Sequence, residues 1–129
     1  MIVANATTPV VFHLSPGQAA DGPEGQKLIP NIPKHFQHNN ISLLMDKAYE
    51  GDKMRGLADL HSFLPVAPPK SNRKEPREYD RELYKRHNAF ERYSRRIKAF
   101  RRVFTRCKKL DVMYASFVTF AMIWETLRE

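Results

Sequence analysis

The residues of this sequence best suited to chemistry lie in the basic stretch 83–104, LYKRHNAFERYSRRIKAFRRVF. At about 100° per residue, one face of a helix would hold, in order, Tyr84, His87, Glu91, Arg95, Lys98 and Arg102. Glu91 is the only acidic residue between Glu82 and Asp111. A carboxylate among cations that attract phosphates predicts a metal ligand held at a nucleic-acid backbone. The alternative is a solvated basic helix with one incidental glutamate.

A second candidate acid, Asp46, follows the apolar run 41–45, ISLLM, and begins the segment DKAYEGD. A carboxylate at the carboxyl end of a buried strand lies where α/β sheets place their sites. The alternative is that Asp46 caps a helix or stands in a turn. Asp52 could also bind a metal, although it fits better at the start of the next helix. Asp21 lies in a turn segment that we interpret as structural, so it is a weak candidate.

The charge of the chain is concentrated in one region. The net charge is +8, and residues 70–109 hold 16 of the 22 lysines and arginines but only five acids. This region includes a proline-containing basic loop, residues 68–79, with Lys70, Arg73 and Lys74. An asymmetry of this kind predicts an anionic partner, either nucleic acid or a membrane surface.

Cysteine and histidine usage excludes several kinds of site. Cys107 is the only cysteine, so the chain has no internal disulfide and no cysteine-based zinc site, and we expect it to be a buried thiol in a cytoplasmic protein. His35 and His38 lack a carboxylate at ligand spacing, and we expect no zinc there. The longest uncharged apolar stretch, residues 112–124, is shorter than the roughly 20 residues that span a bilayer, so no membrane span is expected.

The order of predicted elements indicates an α/β fold. Short β-branched or aromatic runs predict strands, and polar stretches bounded by Gly or Pro predict turns and helices. The sequence predicts a hairpin over 1–4 and 9–14, a short helix over 22–29, strands at 41–45 and 63–67, a helix over 51–60, and two long helices after residue 80. Pro65 predicts an edge position for the strand at 63–67.

The two C-terminal helices are predicted to pack on each other. Asp80 can cap the first of them. Its apolar stripe consists of Leu83, Phe90, Ile97 and Phe104, with Tyr93, Phe100 and Cys107 three residues after the last three of these. The second helix begins near Asp111, and the face expected to pack on this stripe holds Met113, Phe117, Phe120, Trp124 and Leu127.

Both candidate acids lie in motifs that resemble those of DDE-type insertion-sequence transposases. Tyr84, Glu91 and Lys98 match the spacing that this family has around its last acid, whereas His87 stands where the family usually has Arg. The segment that begins at Asp46 resembles the family's strand followed by Asp, a basic or small residue, Ala or Gly, Tyr and an acid. The two motifs occur in the family's order, with a basic proline loop between them.

The resemblance implies a fold, a site and partners. The fold would be an incomplete RNase H-like mixed sheet flanked by helices, ending in two long packed helices. It would form one truncated domain over 1–129, with a core at 1–67, the loop at 68–79 and the two helices at 80–129. Asp46 and Glu91 would be catalytic and would bind Mg²⁺ or Mn²⁺. The partner would be DNA, namely transposon ends and target, and the protein would be cytoplasmic and associated with the nucleoid. Phosphates would be bound by Tyr84, His87, Arg95, Lys98, Arg102, Lys70, Arg73 and Lys74.

One departure from the family affects the expected activity. No acid precedes Asp21, so no residue corresponds to the family's first Asp, and the resemblance covers only the C-terminal part of a transposase. We therefore expect the chain alone to be inactive, and to self-associate or be completed by another transposase chain. Two alternatives are a non-catalytic basic DNA-binding protein that regulates transposition, and a membrane-surface protein that uses residues 112–124.

Overall fold

A computed structural model describes residues 1–37, 40–100 and 110–128. The chain divides into two compact units, one formed by Met1–Leu14 with Asn88–Glu129 and the other by Ser15–His87. We refer to them as the first and the second unit. Both strands and helices are present, as expected for an α/β chain.

The first unit begins with the predicted hairpin. Strands β1 (Ile2–Val3) and β2 (Pro9–Val11) pair antiparallel, with Ile2 opposite Val11. The turn between them is closed by Asn5, whose Oδ1 accepts hydrogen bonds from the backbone N–H groups of Thr7 and Thr8 at 2.8 and 2.9 Å. An asparagine that bonds its own backbone in this way takes the place of a backbone turn, which is why the polar segment reverses the chain.

The second unit contains a parallel strand pair. Strands β3 (Ile41–Leu44) and β4 (Phe63–Val66) pair in register from Ile41 opposite Phe63 to Leu44 opposite Val66. Helix α2 (Asp52–Leu60) connects them, as parallel strands require a crossover. Ser62, at a φ of 64°, follows α2 in the left-handed region and turns the chain into β4.

Shorter elements precede β3 and follow Asp46. Helix α1 spans Asp21–Gln26, and 3₁₀ turns lie at Ile29–Asn31, Lys34–Phe36 and Lys47–Tyr49. The buried apolar side chains of this unit are Leu28, Ile29, Ile32, Met45, Met54, Ala58, Phe63 and Ala67. Instead of the single mixed sheet expected, the described residues form two separate two-stranded sheets.

The long helix predicted over residues 83–104 is interrupted. Helix α3 covers Arg81–Tyr84, a 3₁₀ turn covers Lys85–His87, and α4 runs over Asn88–Lys98. Asn88, which follows this turn, has low helix propensity, so an interruption of the α-helix costs less here. The prediction of one continuous α-helix was therefore wrong, while the cap was confirmed: Asp80 Oδ1 accepts a hydrogen bond from Leu83 N at 2.9 Å. Phe104 and Cys107 lie outside the described residues.

The last helix, α5 (Asp111–Leu127), packs through a different face from the one predicted. Its buried residues are Val118, Ala121, Met122 and Glu125, and the first three form a core with Tyr93 and Ile97 of α4. Phe120, Trp124 and Leu127 of the predicted face are 59%, 54% and 76% exposed. The small side chain of Ala121 allows close approach to the fully buried Tyr93, so the bulky face is left outside.

The face of α5 that packs inward also carries a charge. Glu125 is buried, and Arg96 of α4 approaches it with an Nε to Oε2 distance of 3.1 Å. A buried carboxylate requires such a partner, which the apolar periodicity of the sequence could not indicate. None of the helices in residues 1–37, 40–100 and 110–128 is long and apolar enough to cross a membrane.

Candidate functional site

Asp46 directly follows β3 and Met45, and its side chain is exposed. Its Oδ1 accepts a hydrogen bond from Lys47 N at 2.6 Å, which caps the 3₁₀ turn Lys47–Tyr49. The capping role that we weighed as the alternative is therefore real. It does not use up the side chain, because a carboxylate has about four lone-pair positions and this bond occupies one.

Tyr49, in the turn that follows Asp46, lies near both Asp46 and Asp21. Burial, and then the charges of Asp21 and Asp46, raise the pKa of Tyr49. Asp21 begins α1, which contacts the turn that contains Tyr49. The segment around Asp21, which we interpreted as structural, thus brings a second carboxylate near the phenol of Tyr49. A shallow pocket of about 290 Å³ adjoins this turn, with Tyr49, Lys53 and Lys70 among its lining residues.

A group of ion pairs connects the Asp46 segment to the basic loop, and we call it the Arg73 clasp. Arg73 Nη1 donates to Oε1 and Oε2 of the buried Glu50 at 2.8 and 3.0 Å, and Arg73 Nη2 donates to Asp52 Oδ1 at 2.7 Å. Arg77 Nη2 reaches the same Asp52 oxygen at 3.2 Å, and Arg55 Nε lies 3.6 Å from Glu50 Oε1. One arginine therefore joins two acids that are separated from it by more than 20 residues of sequence.

The electrostatics of the clasp agree with its geometry. The hydrogen bond from Arg73, followed by the charge of Arg73, lowers the pKa of Asp52, and the pKa of Arg73 is raised chiefly by its hydrogen bond to Asp52. No sequence pattern predicts this group, because ion pairs between distant residues have no fixed spacing. Two of the three predicted DNA-binding cations of the loop, Lys70 and Lys74, are exposed, whereas Arg73 directs its guanidinium to Glu50 and Asp52.

Two aromatic side chains of the basic row meet at the end of the second unit. The rings of Tyr84 and His87 stack, with centroids 5.3 Å apart and an interplanar angle of 7°. Tyr79 packs edge-on against Tyr84 at 5.7 Å. These contacts pack around the 3₁₀ turn Lys85–His87.

The other candidate acid lies on the solvent-facing side of α4 in the first unit. Glu91, Arg95 and Lys98 are exposed and share one helix face, which is opposite the buried Tyr93 and Ile97. Arg95 Nη2 lies 3.9 Å from Glu91 Oε2, a loose surface pair that contributes little to stability. This part of the predicted row therefore holds within α4, while Arg102 lies outside the described residues.

The site predicted from the sequence draws on both units. Asp46, Lys70, Arg73, Lys74, Tyr84 and His87 belong to the second unit, and Glu91, Arg95 and Lys98 belong to the first. Within the described part of the chain, no cluster of three or more His, Cys, Asp or Glu side chains could hold a metal ion. Asp46 and Glu91 nevertheless fit a hard divalent cation chemically, since both offer exposed carboxylate oxygens.

Comparison with known proteins gives one match. The family model described as the transposase DDE domain matches residues 1–125, which is nearly the whole chain. Neither a curated protein nor a solved structure matches.

Proposed function

This chain belongs to the transposase DDE domain family, and we propose that it acts on DNA, with Asp46 and Glu91 as ligands of Mg²⁺ or Mn²⁺. The observation that carries the proposal is the position of Asp46, an exposed carboxylate that follows a strand of a parallel pair. The carboxyl ends of parallel strands are where α/β folds place their sites. Glu91 supports it as an exposed acid on a cationic helix face.

The proposed chemistry is the cleavage and transfer of DNA strands at transposon ends and target. A divalent ion bound by carboxylates activates a water or a 3′-hydroxyl group and stabilises the leaving oxygen. Asp46 would supply a ligand from the N-cap position of the turn Lys47–Tyr49, where Lys47 N donates a hydrogen bond to its Oδ1. Glu91 would supply a second ligand from α4, whose opposite face is buried through Tyr93. An RNase H-like arrangement is proposed as the fold that brings the two acids together.

The DNA backbone would be bound by the cations around these acids. Lys98, Arg95 and Arg102 would act from the row of Glu91, and Lys70 and Lys74 from the loop. Tyr84 and His87 would present their stacked rings to the strand. Arg73, whose guanidinium is engaged with Glu50 and Asp52, would contribute by holding the loop in place.

We propose that this chain does not cut DNA unaided. The family resemblance implies three acids, the residues before Asp21 contain none, and the described residues hold no three-ligand cluster. Each ion commonly takes one or two carboxylates besides waters and substrate phosphate, so two acids would leave a pair of ions short of a protein ligand. A further ligand would come from another transposase chain or a second copy. Mg²⁺-dependent nicking by the isolated chain, lost in Glu91→Gln, would contradict this part of the proposal.

A non-catalytic role in regulating transposition is the second candidate. It is favoured by the surroundings of Glu91, which lies beside the exposed cations Arg95 and Lys98 on one face of α4. A basic protein that covers transposon ends would compete with a full transposase without any metal. Metal binding at Asp46 and Glu91 separates this candidate from the first.

Paramagnetic Mn²⁺ tests the metal site directly. Substoichiometric Mn²⁺ added to the isotope-labelled chain should broaden the amide resonances around Asp46 and around Glu91 together. Asp46→Asn or Glu91→Gln should abolish the broadening at both places, while Asp59→Asn, at an exposed acid elsewhere in the second unit, should leave it unchanged. Broadening at only one of the two segments, or an equal effect of Asp59→Asn, would reject a shared site.

DNA binding is tested by its dependence on salt. The affinity for duplex DNA should fall steeply as salt rises, with a log–log slope of about −0.9 for each neutralised phosphate. Lys74→Ala or Lys98→Ala should each make the slope shallower by about one such step. Lys34→Ala, at an exposed lysine outside residues 70–109, serves as the control. An affinity that does not change with salt would reject phosphate binding.

A further inference from the structure

The pocket beside the Asp46 segment is lined mostly by apolar atoms. We call it the Tyr49 pocket, and it is formed by α1, the turn Lys47–Tyr49, the start of α2 and Lys70. Its volume of about 290 Å³ lies at the lower end of the roughly 300–1,000 Å³ that pockets for small molecules have. All of its lining residues belong to the second unit. The pocket therefore suits one small ligand with an apolar body.

Two glycines of α1 give the Tyr49 pocket its shape. A Cβ atom at Gly25 would lie 2.6 Å from Cε1 of Tyr49 and 3.0 Å from Cε of Met54, so the missing side chain lets both residues pack against α1. A Cβ atom at Gly22 would lie 3.9 Å from the carbonyl oxygen of Ala48 on the same side. Tyr49 thus forms one wall, and its ring is the only aromatic ring among the lining residues. Aromatic rings of this kind stack on nucleobases.

The charges at the pocket favour an anionic group. Lys53 and Lys70 both line it and are exposed, and neither side chain has an ion-pair partner within the described part of the chain. Asp52, the acid among the lining residues, accepts hydrogen bonds from Arg73 and Arg77, so its charge is balanced. Two cations without partners beside an apolar wall attract a ligand that is negative at one end and apolar at the other.

A phosphate joined to a flat ring meets both requirements, and this combination is a nucleotide. We propose that the Tyr49 pocket binds a single nucleotide, with its phosphate on Lys53 and Lys70 and its base against the ring of Tyr49. Phosphate alone would leave the apolar wall unused, and a base alone would leave the two lysines without a counter-charge. Each half of the ligand should therefore bind more weakly than the whole.

The surroundings of the phenol set the direction of the nucleotide. After burial, which has the larger effect, the charges of Asp21 and Asp46 raise the pKa of Tyr49, so both carboxylates act on its hydroxyl end. They would repel a phosphate there, which leaves it to the lysines. Gln26, half-buried at the pocket, has an amide that can donate to and accept from the edge of a base.

The nucleotide could be part of a DNA strand or free in solution, since both offer the same phosphate and base. The inference rests on the proposed action on DNA only for the first source. It requires no metal ion, so the measurements below are made in EDTA, and their failure would leave the proposed metal site untouched. Failure of the Mn²⁺ experiment would likewise leave the Tyr49 pocket standing.

Nuclear magnetic resonance with dAMP tests the pocket directly. Added to the isotope-labelled chain, dAMP should shift the amide resonances of residues 22–26 and 48–54 and of Lys70 along one saturable curve. Deoxyadenosine and inorganic phosphate, which each supply one half of the ligand, should bind at least about tenfold more weakly. The absence of saturable shifts in these segments would overturn the proposal, as would equal binding of dAMP and either half.

Matched variants connect the binding to the pocket. Lys53→Ala should weaken dAMP binding by about fivefold, and Lys53→Arg should restore most of it because the charge returns. Lys34→Ala, at an exposed lysine of the same unit outside the pocket, should have no effect. Tyr49→Ala should weaken binding several-fold, whereas Tyr49→Phe keeps the ring and should not. Should Tyr49→Ala fail to fold by circular dichroism, the two lysine substitutions decide alone, and equal losses from them would reject the pocket.

A competition experiment separates the two sources of the nucleotide. A DNA hairpin that ends in one unpaired deoxyadenosine should displace dAMP and bind more tightly than the same hairpin with a blunt end, if the pocket takes a nucleotide of a DNA strand. Lys53→Ala should then remove most of that difference. If the pocket takes a free nucleotide, the dAMP shifts should persist with either hairpin bound. An advantage of the unpaired end that survives unchanged in Lys53→Ala would overturn the assignment of a DNA nucleotide to this pocket.

Discussion

Around Asp46 the second unit is tied by ion pairs, whereas beneath Glu91 the first unit is packed by apolar side chains. Glu50, 1% exposed, is neutralised by Arg73 and Arg55, and this clasp fixes the segment just after Asp46. Under Glu91 the ring of Tyr93 is fully buried against Ala121 and Met122. The segment that holds Asp46 should therefore be destabilised by removal of charges, and the helix that holds Glu91 by cavities in its apolar core.

Removal of the Tyr93 ring should cause the largest loss of stability, and this loss should occur in the first unit. Tyr93→Ala should lower the free energy of unfolding of the first unit by about 4 kcal/mol, because it leaves a cavity the size of an aromatic ring in the α4–α5 core. Tyr93→Phe keeps the ring and should cost less than about 1 kcal/mol. Urea unfolding followed by Trp124 fluorescence measures both. Similar losses for the two substitutions would show that the hydroxyl group, and not packing, stabilises this core.

Alkaline pH should also act on the first unit through Tyr93. Burial, and then the charge of Glu125, raise the pKa of Tyr93 to about 12. A raised folded pKa means that its contribution to stability is complete below pH 10 and is lost as the pH rises towards 12. The loss should be about 1.4 kcal/mol per pH unit in that window.

The control for this prediction is Tyr93→Phe, since other groups titrate at the same pH. The difference in unfolding free energy between the parent and this variant should be constant below pH 10 and change only above it. A difference that stays constant through pH 12 would show that Tyr93 ionises normally.

Removal of the Glu50 charge should instead destabilise the second unit. Glu50→Gln should destabilise it by roughly 2 kcal/mol, because two charge-assisted hydrogen bonds from Arg73 become neutral ones at a buried site. Amide hydrogen exchange in β3 and β4 reports this local loss. Glu78→Gln, at an exposed acid of the same loop, should change it by less than about 0.5 kcal/mol. Faster exchange in α4 and α5 alone would contradict the assignment of the clasp to the second unit.

Acid gives an independent measure of the same ion pairs. The pKa of Asp52 is lowered by its hydrogen bond and charge interaction with Arg73, so its contribution is present above the ordinary value of 3.8 and is lost as the pH falls through the lower folded value. The protection of amides in residues 68–79, measured against the intrinsic exchange rate at each pH, should therefore fall below about pH 4. Asp52→Asn should remove that acid sensitivity and leave the first unit unchanged.

The contrast also explains which parts of the structure the sequence could predict. Features that depend on neighbours in the chain were confirmed, such as the Asp80 cap, the hairpin turn at Asn5, and the strands at Ile41–Leu44 and Phe63–Val66. The apolar spacing predicted that residues after Asp111 form a helix, but it predicted the wrong buried face. The size of the apolar side chains does not reveal whether a small residue such as Ala121 allows closer packing. The helix break at Lys85–His87 was missed for a related reason, since the apolar periodicity continues through it.

The same distinction, between local sequence patterns and tertiary contacts, applies to the candidate site. Asp46 and Glu91 were identified from motifs, and both side chains are exposed. Whether the two acids share a metal ion remains a prediction, for which the Mn²⁺ experiment is designed. Arg73 was read as a phosphate contact from its charge alone, and its bonds to Glu50 and Asp52 depend on tertiary structure that no local pattern encodes.

Substitutions at two glycines of the second unit should have the smallest effects, and they test the contacts around the turn that follows Asp46. A Cβ atom at Gly25 of α1 would lie 2.6 Å from Cε1 and 2.7 Å from Cδ1 of Tyr49, whereas one at Gly56 of α2 meets nothing within 4 Å. Neither glycine has a positive φ, so alanine suits both backbones and only the surroundings differ. Gly25→Ala should cost about 1–2 kcal/mol because the Tyr49 ring must move. Gly56→Ala should stabilise the second unit by about 0.5–1 kcal/mol through its helix propensity.

The displacement of Tyr49 has a further consequence, because its turn is the one that Asp46 caps. Gly25→Ala should shift the amide resonances of residues 46–49 and weaken Mn²⁺ broadening around Asp46, while Gly56→Ala should leave both unchanged. If Gly25→Ala loses stability but keeps the parent's broadening, the position of Asp46 is set by the Arg73 clasp rather than by Tyr49. Glu50→Gln should then reduce the broadening instead, which identifies the contact that holds the candidate ligand.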